Sequence, residues 1–90
     1  MSVVPLSTIC DFYQMELPRV FGKVIKELRI NKKISQEKLA LESDIDRTYI
    51  SDIEKGERNV SLLIIDRLAK ALQISLNDLF KKIENHGEIE

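Results

Sequence analysis

Ninety residues, 43% of them hydrophobic and 32% charged, make one small domain with one core and leave little room for the cleft and supporting shell of a typical enzyme. A formal net charge of -1 and a pI near 5.9 argue against a chain that binds nucleic acid through bulk charge, and no apolar run approaches the roughly 18 to 20 residues of a membrane span. The single Cys10 excludes an internal disulfide framework, the single His86 leaves no cluster with zinc spacing, and a start that carries Pro5, Cys10 and Asp11 without a positive n-region does not read as a signal peptide. The expectation is a cytoplasmic, non-enzymatic chain with no metal and no cofactor.

Pro5 and Pro18 bracket the first segment, with Gly22 close behind, and no proline follows Pro18, so the chain from about residue 19 is free to be helical. Residues 1–18 form an extension to which no role is assigned; Met15 leaves a later natural start, an ordered extra helix or a DNA-contacting arm open. Phe21, Val24, Ile25 and Leu28, spaced i, i+3, i+4, i+7, make one face of a helix running to about Lys32, where Lys32 and Lys33 suit its negative end. Ser35 stands at an N-cap before a short helix over 36–43 that carries Leu39 and Ala40. Asp46 caps a third helix, which Gly56 bounds at about 47–55. Ser61 caps a fourth through Leu72, and Ser75 with Asp78 forms a capping box ahead of Leu76, Leu79, Phe80 and Ile83. The prediction is an all-α domain of five helices over 19–84, followed by a flexible tail over 85–90.

Two short helices separated only by "SDID" have the geometry of a helix-turn-helix, whose second member can be presented outward. At about 100° per residue, Ile50, Ile53 and Glu54 fall on one side of the third helix; Arg47, Thr48, Ser51, Asp52 and Lys55 fall on the opposite arc, with Tyr49 at the edge. That arc holds a guanidinium, hydroxyls, a carboxylate and an ammonium, the groups that bond to base edges and phosphates. Periodicity alone does not separate this reading from an ordinary solvated face. Asp44 and Asp46, flanking Arg47, could be taken for an acid–base pair, but turn and cap roles account for both.

From Phe21 to Phe80 the chain carries "ISQEKLA", the hydrophobic turn residue Ile45, "YISDIEKGERN" and "LAKALQISLNDLF" in order. This pattern resembles the Cro and phage-repressor (Xre) type helix-turn-helix family. "DRTYISDIEKGERNVSL" is most similar, within that family, to the controller proteins of restriction-modification systems, small dimeric transcription regulators; phage repressors and antitoxins, which bind DNA and a partner protein, share the pattern. The resemblance implies a double-stranded DNA operator and a homodimer as partners, no membrane, and room for a contact with RNA polymerase.

It also implies roles for individual residues. Arg47 and Thr48, in the first turn of the recognition helix, would read base edges: arginine fits guanine O6 and N7, and threonine offers a hydroxyl or a methyl. Ser51 and Asp52 would face the same groove, with Asp52 accepting from cytosine N4, orienting Arg47 or serving the fold. Ser35 and Gln36 at the start of the second helix, Tyr49, and Arg58 with Asn59 in the following loop are placed to meet phosphate or the minor groove, although Tyr49 could instead pack on the edge of the core. Arg29 and Glu54 match a partly buried ion pair linking the first and third helices. Lys23, Lys26, Lys32 and Lys33 add to the field or only solvate the surface.

Residues 19–80 carry a net charge of +2, so affinity should lean on a dimer gripping two half-sites and on a few placed arginines. On the fourth helix, Leu62, Ile65, Leu68, Ala69 and Leu72 are assigned to the core. Leu63 and Ile64 are left over and, with Phe80 of the fifth helix, are read as the dimer interface.

Overall fold

The computed structural model describes the backbone of residues 6–88 and the side chains of residues 17–86. Within them lie five helices and no strand: α1 Leu6–Asn31, α2 Gln36–Ser43, α3 Arg47–Glu54, α4 Leu62–Ala71 and α5 Leu76–Glu88. The side chains of Cys10 and Met15, and residues 89–90 of the tail, lie outside the described residues.

Three of the four connections repeat one device. Lys33, Asp44 and Gln73 each end a helix in the left-handed region, with φ of 60°, 57° and 58°. An isoleucine follows each and turns its N–H back into the helix just finished: Ile34 to the Arg29 carbonyl at 3.3 Å, Ile45 to Ala40 at 3.0 Å and Ile74 to Ala69 at 3.0 Å. These are Schellman bonds, which satisfy carbonyls that the helix leaves open, and the isoleucine enters or packs on the core. The next residue caps the following helix: Ser35 accepts from the Lys38 N–H at 3.0 Å, Asp46 from Thr48 at 2.9 Å and Ser75 from Asp78 at 3.0 Å. Of the capping box at Ser75 only this half forms; no bond from the Ser75 N–H to the Asp78 carboxylate is present among the described residues.

The fourth connection uses glycine. Gly56 has φ of 79° and lies so close to α1 that an added Cβ would come within 2.8 Å of Arg19 Cγ and 2.9 Å of Arg19 Cα. Both its backbone conformation and its neighbour therefore demand the missing side chain. Ser61 then caps α4, accepting from the Ile64 N–H at 3.2 Å.

Two boundaries differ from the sequence expectation. Pro18 lies inside α1 rather than before it. Proline removes one hydrogen bond and crowds the preceding turn, but its fixed φ is itself helical, so it does not forbid the path. At the other end α5 continues to Glu88, past the expected boundary at 84.

The core gathers Phe21, Val24 and Ile25 of α1, Leu39 and Ala40 of α2, Ile45, Ile50 and Ile53, Leu68, Ala69 and Leu72 of α4, and Leu79 and Ile83 of α5. Ser43 is buried with them and donates its hydroxyl to the Leu39 carbonyl at 2.6 Å, so it brings no unmet polar group inside. The assignment for α4 needs correction: Leu62 is 79% exposed, whereas Ile64 is half-buried and packs against the core. At about 100° per residue the two lie on opposite flanks of the Ile65–Leu68–Leu72 stripe, and the neighbouring elements cover the side that holds Ile64.

Candidate nucleic-acid interface

α3 is mounted on α1 by a glycine and an ion pair. Gly22 of α1 faces the last turn of α3 so closely that a Cβ there would collide with the Ile53 carbonyl oxygen and sit 3.1 Å from that of Glu54. About two turns further along α1, Arg29 grips the Glu54 carboxylate with both sides of its fork, Nε to Oε2 at 2.7 Å and Nη2 to Oε1 at 3.1 Å. Its third nitrogen, Nη1, donates to the Ile34 carbonyl at 2.9 Å, and Gln36 Nε2 donates to Glu54 Oε1 at 3.0 Å. The side chains are only 12% and 3% exposed, so this network ties α1, the turn at Ile34, the start of α2 and the end of α3 into one unit.

With Ile50 and Ile53 buried, the opposite face of α3 turns outward. Arg47, Thr48 and Lys55 are exposed, and Ser51 and Asp52 are half-buried. Asp46 holds the helix start by accepting from the Thr48 N–H, which leaves the Arg47 and Thr48 side chains clear of the capping contact. Arg47 joins no ion pair among the described residues. Asp52, by contrast, pairs with Arg58: Nε and Nη2 both lie 3.3 Å from Oδ2. The same guanidinium is stacked 4.9 Å from the centre of the half-buried Tyr49 ring.

The remaining candidates divide. Ser35 uses its oxygen as a helix cap and Gln36 points its amide nitrogen at Glu54, so both reach outward only with their remaining polar capacity. Asn59 is exposed in the loop. Lys23, Lys26, Lys32 and Lys33 are all exposed, and Lys32 donates to Gln73 at 3.3 Å. The seating role of Gly22 was missed in the sequence, although a glycine beside the stripe Phe21, Val24, Ile25 is a signal of close approach.

A separate groove of about 390 Å³ opens between the Leu17–Phe21 stretch of α1, the loop after α3, and α4 and α5. Leu17, Phe21, Val60, Ile65 and Phe80 line it, with Arg58 at its edge. Phe80 and Leu63 are 41% and 58% exposed. Of the three residues read as the interface, Ile64 is half-buried and packs partly against its own core.

The family model described as helix-turn-helix matches residues 25–79, the stretch that spans the ion pair, the turn and the outward helix. The chain belongs to this helix-turn-helix family. Control protein C.BamHI of Bacillus amyloliquefaciens is 52% identical over 61 residues, covering 67% of this chain and 75% of that protein. The crystal structure of the restriction-modification controller protein C.AhdI from Aeromonas hydrophila superposes with a TM-score of 0.68 at 48% identity, over 70% of this chain and 96% of that one. The restriction-modification controller protein C.Esp1396I, solved as a tetramer with its natural 35 base-pair operator, gives a TM-score of 0.74 at 36% identity, over 78% of this chain and 92% of that one. The family model begins at Ile25 and leaves the first part of α1 outside it. Among the described residues no helix is long and apolar enough to cross a membrane.

Proposed function

We propose that this chain is a sequence-specific regulator of transcription of the restriction-modification controller kind, cytoplasmic and without enzymatic activity, that binds near-palindromic duplex operators as a homodimer. The observation that carries the reading is α3 itself. Its inner face is fixed by Gly22 and the Arg29–Glu54 pair, while its first turn offers an exposed Arg47 and Thr48. Such a helix can enter the major groove with its N-terminal residues against base edges. In this reading Arg47, Thr48 and Ser51 contact bases, and Ser35, Gln36, Tyr49, Arg58 and Asn59 contact phosphate or the minor groove. The likeness to C.BamHI and C.AhdI supports it.

Selection of a duplex from a randomised pool, followed by titration against that duplex and a scrambled one across a salt series, tests the reading. Affinity should fall steeply with salt as phosphate-bound counterions are released, and the selected duplex should bind more tightly throughout. Equal binding to both duplexes at every salt removes it. Changing Arg47 to alanine should abolish discrimination at one base pair of each half-site, a loss of about 1 to 3 kcal/mol, with folding unchanged. A folded variant that keeps the wild-type base preference contradicts the role given to Arg47.

A single short recognition helix reads too few base pairs to select a site, so two copies gripping half-sites roughly 34 to 36 Å apart are required. Leu63 and Phe80 supply most of the exposed apolar surface for that contact, with the half-buried Ile64 beside them. Replacing Leu63 and Phe80 together by glutamate should give a folded monomer, with operator affinity reduced on the order of 100-fold. Sedimentation and circular dichroism check it: a variant that remains dimeric puts the interface elsewhere.

A further inference from the structure

Asp52 is a carboxylate on the face of α3 that the proposed function turns toward DNA, where phosphates would repel it. Its partner is Arg58, six residues on and beyond the end of the helix. Both contacts converge on Oδ2 at 3.3 Å, longer than the roughly 2.7 to 2.9 Å of a strong charge-assisted bond. The side chains are 50% and 22% exposed, so water and ions reach the pair. Tyr49, one turn earlier on α3, holds the other surface of the guanidinium at 4.9 Å. Arg58 thus lies against the recognition helix, with Nε and Nη2 committed to Asp52. Its Nη1 donors make no hydrogen bond among the described residues.

We infer that Asp52 is a positioning and specificity-determining residue that acts through Arg58 and does not itself read a base. Together with Tyr49 it holds the guanidinium beside α3 and neutralises most of its charge. A non-specific duplex, which offers Arg58 only a diffuse field of phosphates, must then compete with a carboxylate already in place. An operator that seats α3 in register presents a phosphate or base edge to the free side of the fork and gains the contact without breaking the pair. Asp52 therefore lowers binding to the wrong DNA more than binding to the right one, a form of selectivity by discouraging alternatives. The inference rests on the DNA-binding reading of α3 but not on any particular operator.

A four-member cycle tests it: wild type, Asp52→Asn, Arg58→Ala and the double variant, each titrated by fluorescence anisotropy against the selected duplex and a scrambled one across a salt series. Exposed ion pairs are worth up to about 1 kcal/mol, so Asp52→Asn should raise affinity for the scrambled duplex about two- to fivefold. It should also steepen the salt dependence there by about one unit of log K per unit of log salt. Affinity for the selected duplex should change less, so the ratio between the two falls. In the Arg58→Ala background the effect of the Asp52→Asn change should shrink to the small relief of phosphate repulsion, under about twofold and alike on both duplexes. An Asp52→Asn effect of equal size without Arg58 overturns the inference, because the carboxylate then acts on the DNA directly. A shift in preference at a single base pair overturns it in favour of a base contact. Wild-type protein that binds no duplex at all would instead remove the regulator reading on which the inference depends.

Discussion

Replacing Glu54 by alanine should destabilise the domain by about 3 to 5 kcal/mol, the range for breaking a buried ion pair by removing one partner. The carboxylate is 3% exposed and accepts from Arg29 twice and from Gln36 once. Its removal leaves a guanidinium, itself only 12% exposed, with the Ile34 carbonyl as its remaining hydrogen-bond partner. A small domain has only about 5 to 15 kcal/mol to lose, so the shift should be plain in urea unfolding, as a lower midpoint with an unchanged slope. Because the same network ends the recognition helix, DNA binding should fall along with stability. The two losses separate by assaying binding at a temperature where the variant is still folded. A change below about 0.5 kcal/mol, the size typical of surface substitutions, would mean that Arg29 swings out to water and that the pair contributes geometry rather than stability.

Gly22→Ala should also destabilise, against the usual sign. In an exposed helix that change gains up to about 1 kcal/mol, because alanine is the better helix former. At position 22 the new methyl would run into the carbonyl oxygens of Ile53 and Glu54, which are backbone atoms that cannot rotate aside. Either α3 shifts away from α1 or the core between them opens, at roughly 1 to 3 kcal/mol or more. The shift would also misalign Arg29 with Glu54, so Gly22→Ala and Glu54→Ala should be less than additive when combined. Thermal unfolding of the single and double variants measures both effects. A Gly22→Ala protein more stable than wild type would show that the helices separate without loss.

Much of the fold was legible because local chemistry agrees with the tertiary result. Ser35, Asp46, Ser61 and Ser75 stand where side-chain oxygens must take up the first free N–H groups of a helix, and all four do so. The apolar spacing of α1 and α3 likewise selected Phe21, Val24, Ile25, Ile50 and Ile53, which are buried, and Leu28, which is partly buried against them. The left-handed helix ends at Lys33, Asp44 and Gln73 were not visible, since none is glycine; the isoleucine that follows each drives the turn by entering or packing on the core.

The sequence by itself determined the helices, their capped starts, the turn between α2 and α3 and the polar identity of the outward face. These follow from interactions within a few residues or from a period that one helix carries alone. Only the tertiary structure decided the rest. Leu62 and Ile64 flank the same stripe of α4 on opposite sides, and nothing local says which flank will find neighbours; packing buried part of Ile64 and left Leu62 in water. Pro18 looked like a boundary because a proline disfavours a helix interior, yet α1 runs through it. Asp52 could be assigned to a base, to Arg47 or to the fold, and the loop after Gly56 brought Arg58 back to pair with it. For Ile64 and Asp52 the deciding contact joins residues that a helical wheel does not place together, and its energy exists only once the chain has closed around the core.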